Sequence, residues 1–179
     1  ENCKNAGKVF STNHYYAGIA ADACIKTDST LTVSGCTNEV DFTEGEGAGI
    51  VHHLAMQKGN VVLSDCVNHG KIVSSGQNAA GILCYTTNIG NDWNLELENC
   101  ENTGDISSEV EAGGIACFTA YYKTEENANT SFAIRNCKNS GNLFSPTTNG
   151  YMGGILAVDG FMLTKTEIDG CENSGNISF

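Results

Sequence analysis

Cys100-Glu101-Asn102-Thr103-Gly104-Asp105-Ile106 decides the fold, because its pattern, Cys-x-Asn-x-Gly-x-apolar, occurs six times in the chain. The other copies begin at Cys3, Cys36, Cys66, Cys137 and Cys171 and end on Val9, Phe42, Ile72, Leu143 and Ile177. Only the second copy departs, with Val40 in the glycine position. Successive cysteines lie 33, 30, 34, 37 and 34 residues apart. A period of that size belongs to stacked repeat architectures.

Two further elements keep the same period. A small-Gly-Ile signature appears as Ala17-Gly18-Ile19, Ala48-Gly49-Ile50, Ala80-Gly81-Ile82, Gly113-Gly114-Ile115 and Gly153-Gly154-Ile155. An alternating apolar stretch precedes each later cysteine, as in Leu31-Thr32-Val33-Ser34 and Leu95-Glu96-Leu97-Glu98. Alternation of this kind is the period of a half-buried strand. The segments between Gly-Ile and that strand are the longest and least regular: 20–30, 51–60, 83–94, 116–131 and 156–165. They are expected as loops, or as loops with a short extra strand or helical turn.

Three short strands per repeat, repeated, describe an all-β fold: a right-handed parallel β-helix of about five coils of 30–37 residues, about 24 Å tall at the spacing of paired strands. Residues 1–179 then form one repeat domain, read as a piece of a longer array. Stacking in this register predicts an inner column of Val9, Phe42, Ile72, Ile106, Leu143 and Ile177. It also predicts two outward columns. One is Lys8, Asp41, Lys71, Asp105, Asn142 and Asn176; the other is Ser34, Ser64, Glu98, Arg135 and Asp169, with Arg135 between two acids. A helical solenoid fits poorly, because Gly and Asn interrupt every candidate helix.

Composition narrows the partners. Nine basic residues against 21 acidic ones give a net charge of −12. Nucleic acid and anionic membrane surfaces are poor partners for such a chain, since both need clustered Lys and Arg. No apolar run approaches the roughly 20 residues of a membrane-spanning helix.

Most recurring residues have structural explanations. Six of the nine cysteines form the signature column; Cys24, Cys84 and Cys117 lie elsewhere. No Cys-x2-Cys pair supports a zinc knuckle, so the six are expected as buried free thiols and no metal or other cofactor is expected. Cys84 and Cys117 share a position with Ala21, His52 and Ala157, which argues for a small buried group there. His52 is expected to be buried and hydrogen-bonded. The signature asparagines are expected to bond to one another and to the backbone from coil to coil, and the following glycine to relieve a tight or left-handed turn.

The combination of Cys-x-Asn-x-Gly-x-Ile, Gly-Gly-Ile and an alternating strand resembles the repeats of bacterial surface proteins with GLUG-type motifs. The resemblance spans nearly the whole chain. It implies a β-helical stalk or adhesin-like module of a bacterial cell-surface or secreted protein, contacting a host or neighbouring-cell protein or a glycan. Such repeats also occur in stalk regions of IgA-cleaving metalloproteases. No His-Glu-x-x-His motif occurs here, so nothing catalytic carries over and a non-enzymatic role is expected. Open coil edges would favour end-to-end self-association.

Two patches remain as candidate sites. The column four residues after the motif glycine reads Asp22, His53, Tyr85, Phe118 and Val158, with Trp93, Tyr121 and Tyr122 nearby. Either the long segments fold over this stripe as a second small core, or His53, Tyr85, Trp93, Phe118, Tyr121 and Tyr122 form a platform for a sugar ring or protein anchor. The second patch is Glu96, Glu98, Arg135, Glu167 and Asp169 on one outer strand face. It reads as a solvated charge ladder, or as the acidic patch of a carbohydrate-active β-helix.

Overall fold

A computed structural model describes residues 1–7, 15–75, 78–121, 129–148, 150–160 and 165–179. Every strand pair in it is parallel, and each strand bonds to its counterpart one repeat away. The protein is a parallel β-helix. The dipeptides after each cysteine, from Lys4–Asn5 to Glu172–Asn173, build a six-stranded sheet. The apolar ends of the signatures, such as Ile72–Ser74 and Ile106–Ser108, build a second sheet. The residues before Gly-Ile, such as Glu46–Ala48 and Asn78–Ala80, build a third. A broad eight-stranded sheet takes the rest. The coils that begin at Cys66, Cys100 and Cys137 therefore run through four sheets, rather than three short strands.

The expected loops are largely strand. Val51–Ser64 and Leu83–Glu98 run unbroken for 14 and 16 residues, and pair along most of their length with one register shift between Asn88 and Asp92. Their sequences look irregular because outward side chains are free to vary. The backbone is nevertheless fixed by the ladder above and below it.

The predicted columns are visible in the register. Phe42, Ile72, Ile106, Leu143 and Ile177 are in line, and the first four are buried. Val9 and Lys8 lie outside the described residues. Ile177 is 42% exposed. Ser34, Ser64, Glu98, Arg135 and Asp169 are also in line. Charge pairing differs from the expectation in two places. The Asp41 carboxylate accepts from the backbone N–H of Lys71 at 2.7 Å, not from its ammonium. The Arg135 guanidinium reaches Glu96 and Glu167, two residues before its own column.

The asparagine ladder is continuous. The Nδ2 groups of Asn38, Asn68, Asn102 and Asn139 each donate to the Oδ1 of the next asparagine at 2.7–2.8 Å. Each also donates to the backbone carbonyl two residues on, at 2.8–3.0 Å. Both amide hydrogens are thus used, which satisfies the requirement for polar groups that are fully buried. The two glycine signatures serve this ladder. A Cβ on Gly104 would collide with the Gly70 carbonyl, and one on Gly81 with the Gly114 carbonyl and the Asn102 side chain. Close approach, not a left-handed backbone, is what these positions require. The left-handed position is the residue before each cysteine: Asn2, Gly35, Asp65, Asn99, Asn136 and Gly170 have φ between 52° and 62°. Asn, Asp and Gly are the residues that tolerate it.

All nine cysteines are free. Cys36, Cys66, Cys100 and Cys137 are buried. The thiols of Cys66, Cys100 and Cys137 point at carbonyl oxygens of their own and the preceding coil, as Cys100 does to Leu63 at 3.4 Å, and that of Cys36 at the Ser34 carbonyl. The neighbouring thiols of Cys137 and Cys66, together with burial, push the Cys100 pKa far up.

Candidate functional site

Where the sheet of Glu46–Ala48 and Asn78–Ala80 meets the broad sheet, the Gly-Ile signature turns the chain and leaves an outer corner. Ala48, Ala80, Cys84 and Cys117 form a small apolar cluster there, separate from the main core. Beside it opens a cleft of about 440 Å³ lined by Tyr15, Glu46, His52, His53, Asn78 and Tyr85, among others. Most of its wall comes from residues just after Gly-Ile.

Parallel register assembles the cleft from distant positions. Val51 aligns with Leu83, so the next residues, His52 and Cys84, follow one another up the same corner. Tyr15, Glu46, Asn78 and Glu111 form the facing column. His52 is only 4% exposed. Its ring stacks on Tyr15 with centroids 4.8 Å apart. Burial of His52 matches the expectation, but its Nε2 has no hydrogen-bond partner among the described residues. The Glu46 Oε1 that it faces is 3.6 Å away, beyond hydrogen-bond range. That carboxylate is held by Asn78, whose Nδ2 donates to it at 2.8 Å. The ligand atoms of Glu46, His52 and Cys84 all lie within 4.8 Å of one another.

His53 is oriented differently. Nδ1 is 2.9 Å from Asp22 Oδ1 and Nε2 is 2.8 Å from Thr87 Oγ1. A proton on Nδ1 facing the carboxylate leaves Nε2 to accept from the hydroxyl, so the pair of partners fixes the tautomer. The order hydroxyl–imidazole–carboxylate is that of a hydrolytic triad. Such chemistry also needs backbone donors aimed at a developing oxyanion. Around Thr87 the strands on both sides are in register, with Ala55 and Ala120 as its partners, which commits the local backbone to the ladder. The arrangement therefore orients His53, whose ring stacks on Tyr85 at 5.4 Å.

The predicted aromatic stripe is split by the structure. His53 and Tyr85 line the cleft together. Trp93 does not belong with them: it is fully buried in the main core, and its indole N–H donates to the Gly90 carbonyl at 3.1 Å. Strand alternation puts 93 on the same face as Leu95 and Leu97, and this was visible in the sequence. Phe118 continues the column of His53 and Tyr85, and Tyr121 lies further along the same strand; their side chains, and Tyr122 altogether, lie outside the described residues. Tyr15, 68% exposed, was missed. It precedes Gly-Ile rather than following it, so only the facing-column register reveals it.

The acidic patch is assembled as expected on one strand face. Arg135 bonds Glu96 and, at 3.2 Å, Glu167; Lys165 lies 3.5 Å from Glu167. The hydrogen bond and charge of Arg135, with help from Lys165, hold the Glu167 pKa below the usual carboxylate range. A general acid needs the opposite shift.

Neither a protein-family model nor a curated protein sequence matches the chain. Among solved structures, the chain is similar to one named "putative immunoglobulin A1 protease" from Bacteroides ovatus, at 12% identity and a TM-score of 0.41, over 93% of this chain and 67% of that one.

Proposed function

We propose that this chain is a structural display module of a bacterial surface or secreted protein. It would act as a stiff β-helical stalk that presents its outer corner to a protein or glycan partner, the role implied by the resemblance to GLUG-type repeats. One observation carries this reading. The buried columns repeat and pair with themselves, whereas the corner column runs Ala21, His52, Cys84, Cys117 and Ala157, keeps its residue only from Cys84 to Cys117, and borders an open cleft. Tyr15, His53 and Tyr85 give the cleft flat rings beside polar groups, the combination that suits sugar rings and protein anchors.

Binding of the whole chain to arrayed glycans and to extracellular proteins tests it, with Tyr15→Ala and Tyr85→Ala as variants. A ligand whose binding is lost in both variants supports the proposal. Binding indifferent to both, or turnover of a polysaccharide, would replace it. The carbohydrate-active alternative draws little from the acidic patch, where Arg135 holds Glu167 ionised.

A further inference from the structure

We propose that Glu46, His52 and Cys84 form a binding site for a divalent transition-metal ion of the zinc class, open on its fourth side to the cleft. The site lies beyond the display role and does not depend on it.

Three observations converge. First, His52 Nε2 is buried without a hydrogen-bond partner among the described residues, and it faces the Glu46 carboxylate at 3.6 Å. A buried polar atom left unpaired is destabilising, and a metal ion would satisfy it. Second, the three ligand atoms are already grouped within 4.8 Å. Around a tetrahedral ion with bonds of about 2.0–2.3 Å, ligand atoms sit about 3.4 Å apart. The flexible Glu46 side chain supplies the remaining adjustment. Third, the donor set is selective. One imidazole, one thiol and one carboxylate suit zinc and its neighbours, and not magnesium or calcium, which take oxygen ligands.

The surroundings fit this use. Asn78 donates to Glu46 Oε1 and so orients the carboxylate, as outer partners of metal ligands do. The Tyr15 ring covers one face of the imidazole. Glu111 stands two coils from Glu46 in the same column, with Asn78 between, which adds negative charge near the ion. On binding, the Cys84 thiol releases its proton to solvent and the ion takes the thiolate, so no oxidation state changes.

The column itself provides clean variants. Ala21 and Ala157 occupy the position of Cys84 in other coils, so Cys84→Ala replaces the thiol with a residue the corner already accepts. The experiment titrates Co²⁺ into the reduced, chelator-treated whole chain and then displaces it with Zn²⁺. The proposal expects one equivalent to bind with a thiolate-to-cobalt charge-transfer band. The band should vanish in Cys84→Ala, and affinity should fall about 10-fold or more in His52→Gln and Glu46→Gln. It should persist in the double variant Cys3→Ser/Cys24→Ser, which removes the exposed thiols. Absence of the band in the parent chain, its survival in Cys84→Ala, or its loss with Cys3 and Cys24 would each overturn the site. Circular dichroism of Cys84→Ala matching the parent shows that loss of the band is not loss of fold.

Discussion

The asparagine ladder and the outer corner are built by the same repeat, yet they treat polar groups in opposite ways. In the ladder, Asn68, Asn102 and Asn139 are buried and every amide hydrogen has an acceptor. At the corner, His52 is nearly as buried and its Nε2 has none among the described residues. The difference follows from how each column is satisfied. An asparagine bonds to its copies one coil away, so identity must be kept from coil to coil. The corner column runs Ala21, His52, Cys84, Cys117 and Ala157; apart from the Cys84–Cys117 thiol contact, no side-chain bond among the described residues ties one coil's residue to the next, and identity drifts. In a solenoid, repetition marks scaffold, and departure from repetition inside a buried column marks the place to look for a ligand.

Gly81→Ala should break the ladder side of this comparison most severely. Its Cβ would enter the space of the Gly114 carbonyl and Asn102, neither of which can retreat without parting two coils. The expected loss is about 4 kcal/mol or more, read as failure to reach a cooperative thermal transition at the parent temperature. A near-parental transition would show that the coils are looser than their spacing implies.

Alkaline pH should act next. Hydrogen bonds to Cys100 lower Cys66 and Cys137, but Cys36 is raised chiefly by burial, and Cys100 is raised further still by its thiol neighbours and burial. The folded chain keeps these protons while the unfolded chain loses them at about pH 8.5. Proton binding is then greater in the folded state, so stability is fully present below that pH and falls as pH rises above it. Urea midpoints between neutral and alkaline pH read this directly, under reducing conditions. In Cys100→Ala the fall should be shallower.

The outer charge cluster should matter least. Arg135 pairs with Glu96 and Glu167 at a partly solvated surface, where ion pairs are screened and contribute little. Arg135→Met should move the urea midpoint by no more than added salt moves the parent. A large shift would promote the cluster from decoration to scaffold.

Much of the scaffold was legible in the sequence because each repeated residue answers to its own copy. The cysteine interval gave the coil length, and the inner aliphatic column from Phe42 to Ile177 gave the register. The left-handed residue before each cysteine was equally available, since Asn, Gly, Asp, Asn, Asn and Gly stand there in turn. Legibility failed where side chains face outward. Val51–Asn60 and Leu83–Asn94 looked like loops because their polarity hides backbone pairing between coils. Trp93 reads as a platform residue from its ring alone, whereas its alternation with Leu95 and Leu97 puts it in the core with them. The Glu46–His52–Cys84 group had no motif spacing to announce it, because its members come from two sheets and two coils. Only the shared position of His52 and Cys84 after Gly-Ile hinted at it.

Paired urea denaturation of Asn102→Ala and His52→Leu in the metal-free chain tests the contrast between ladder and corner most directly. Asn102→Ala strips a bond from Asn68, Asn139 and the Gly104 carbonyl at once, and should cost about 3 kcal/mol. His52→Leu removes an unpaired buried nitrogen, and should leave stability within about 1 kcal/mol of the parent or raise it. Equal losses in the two variants, or a larger loss in His52→Leu, would contradict the division of this molecule into a self-paired scaffold and a corner kept for a ligand.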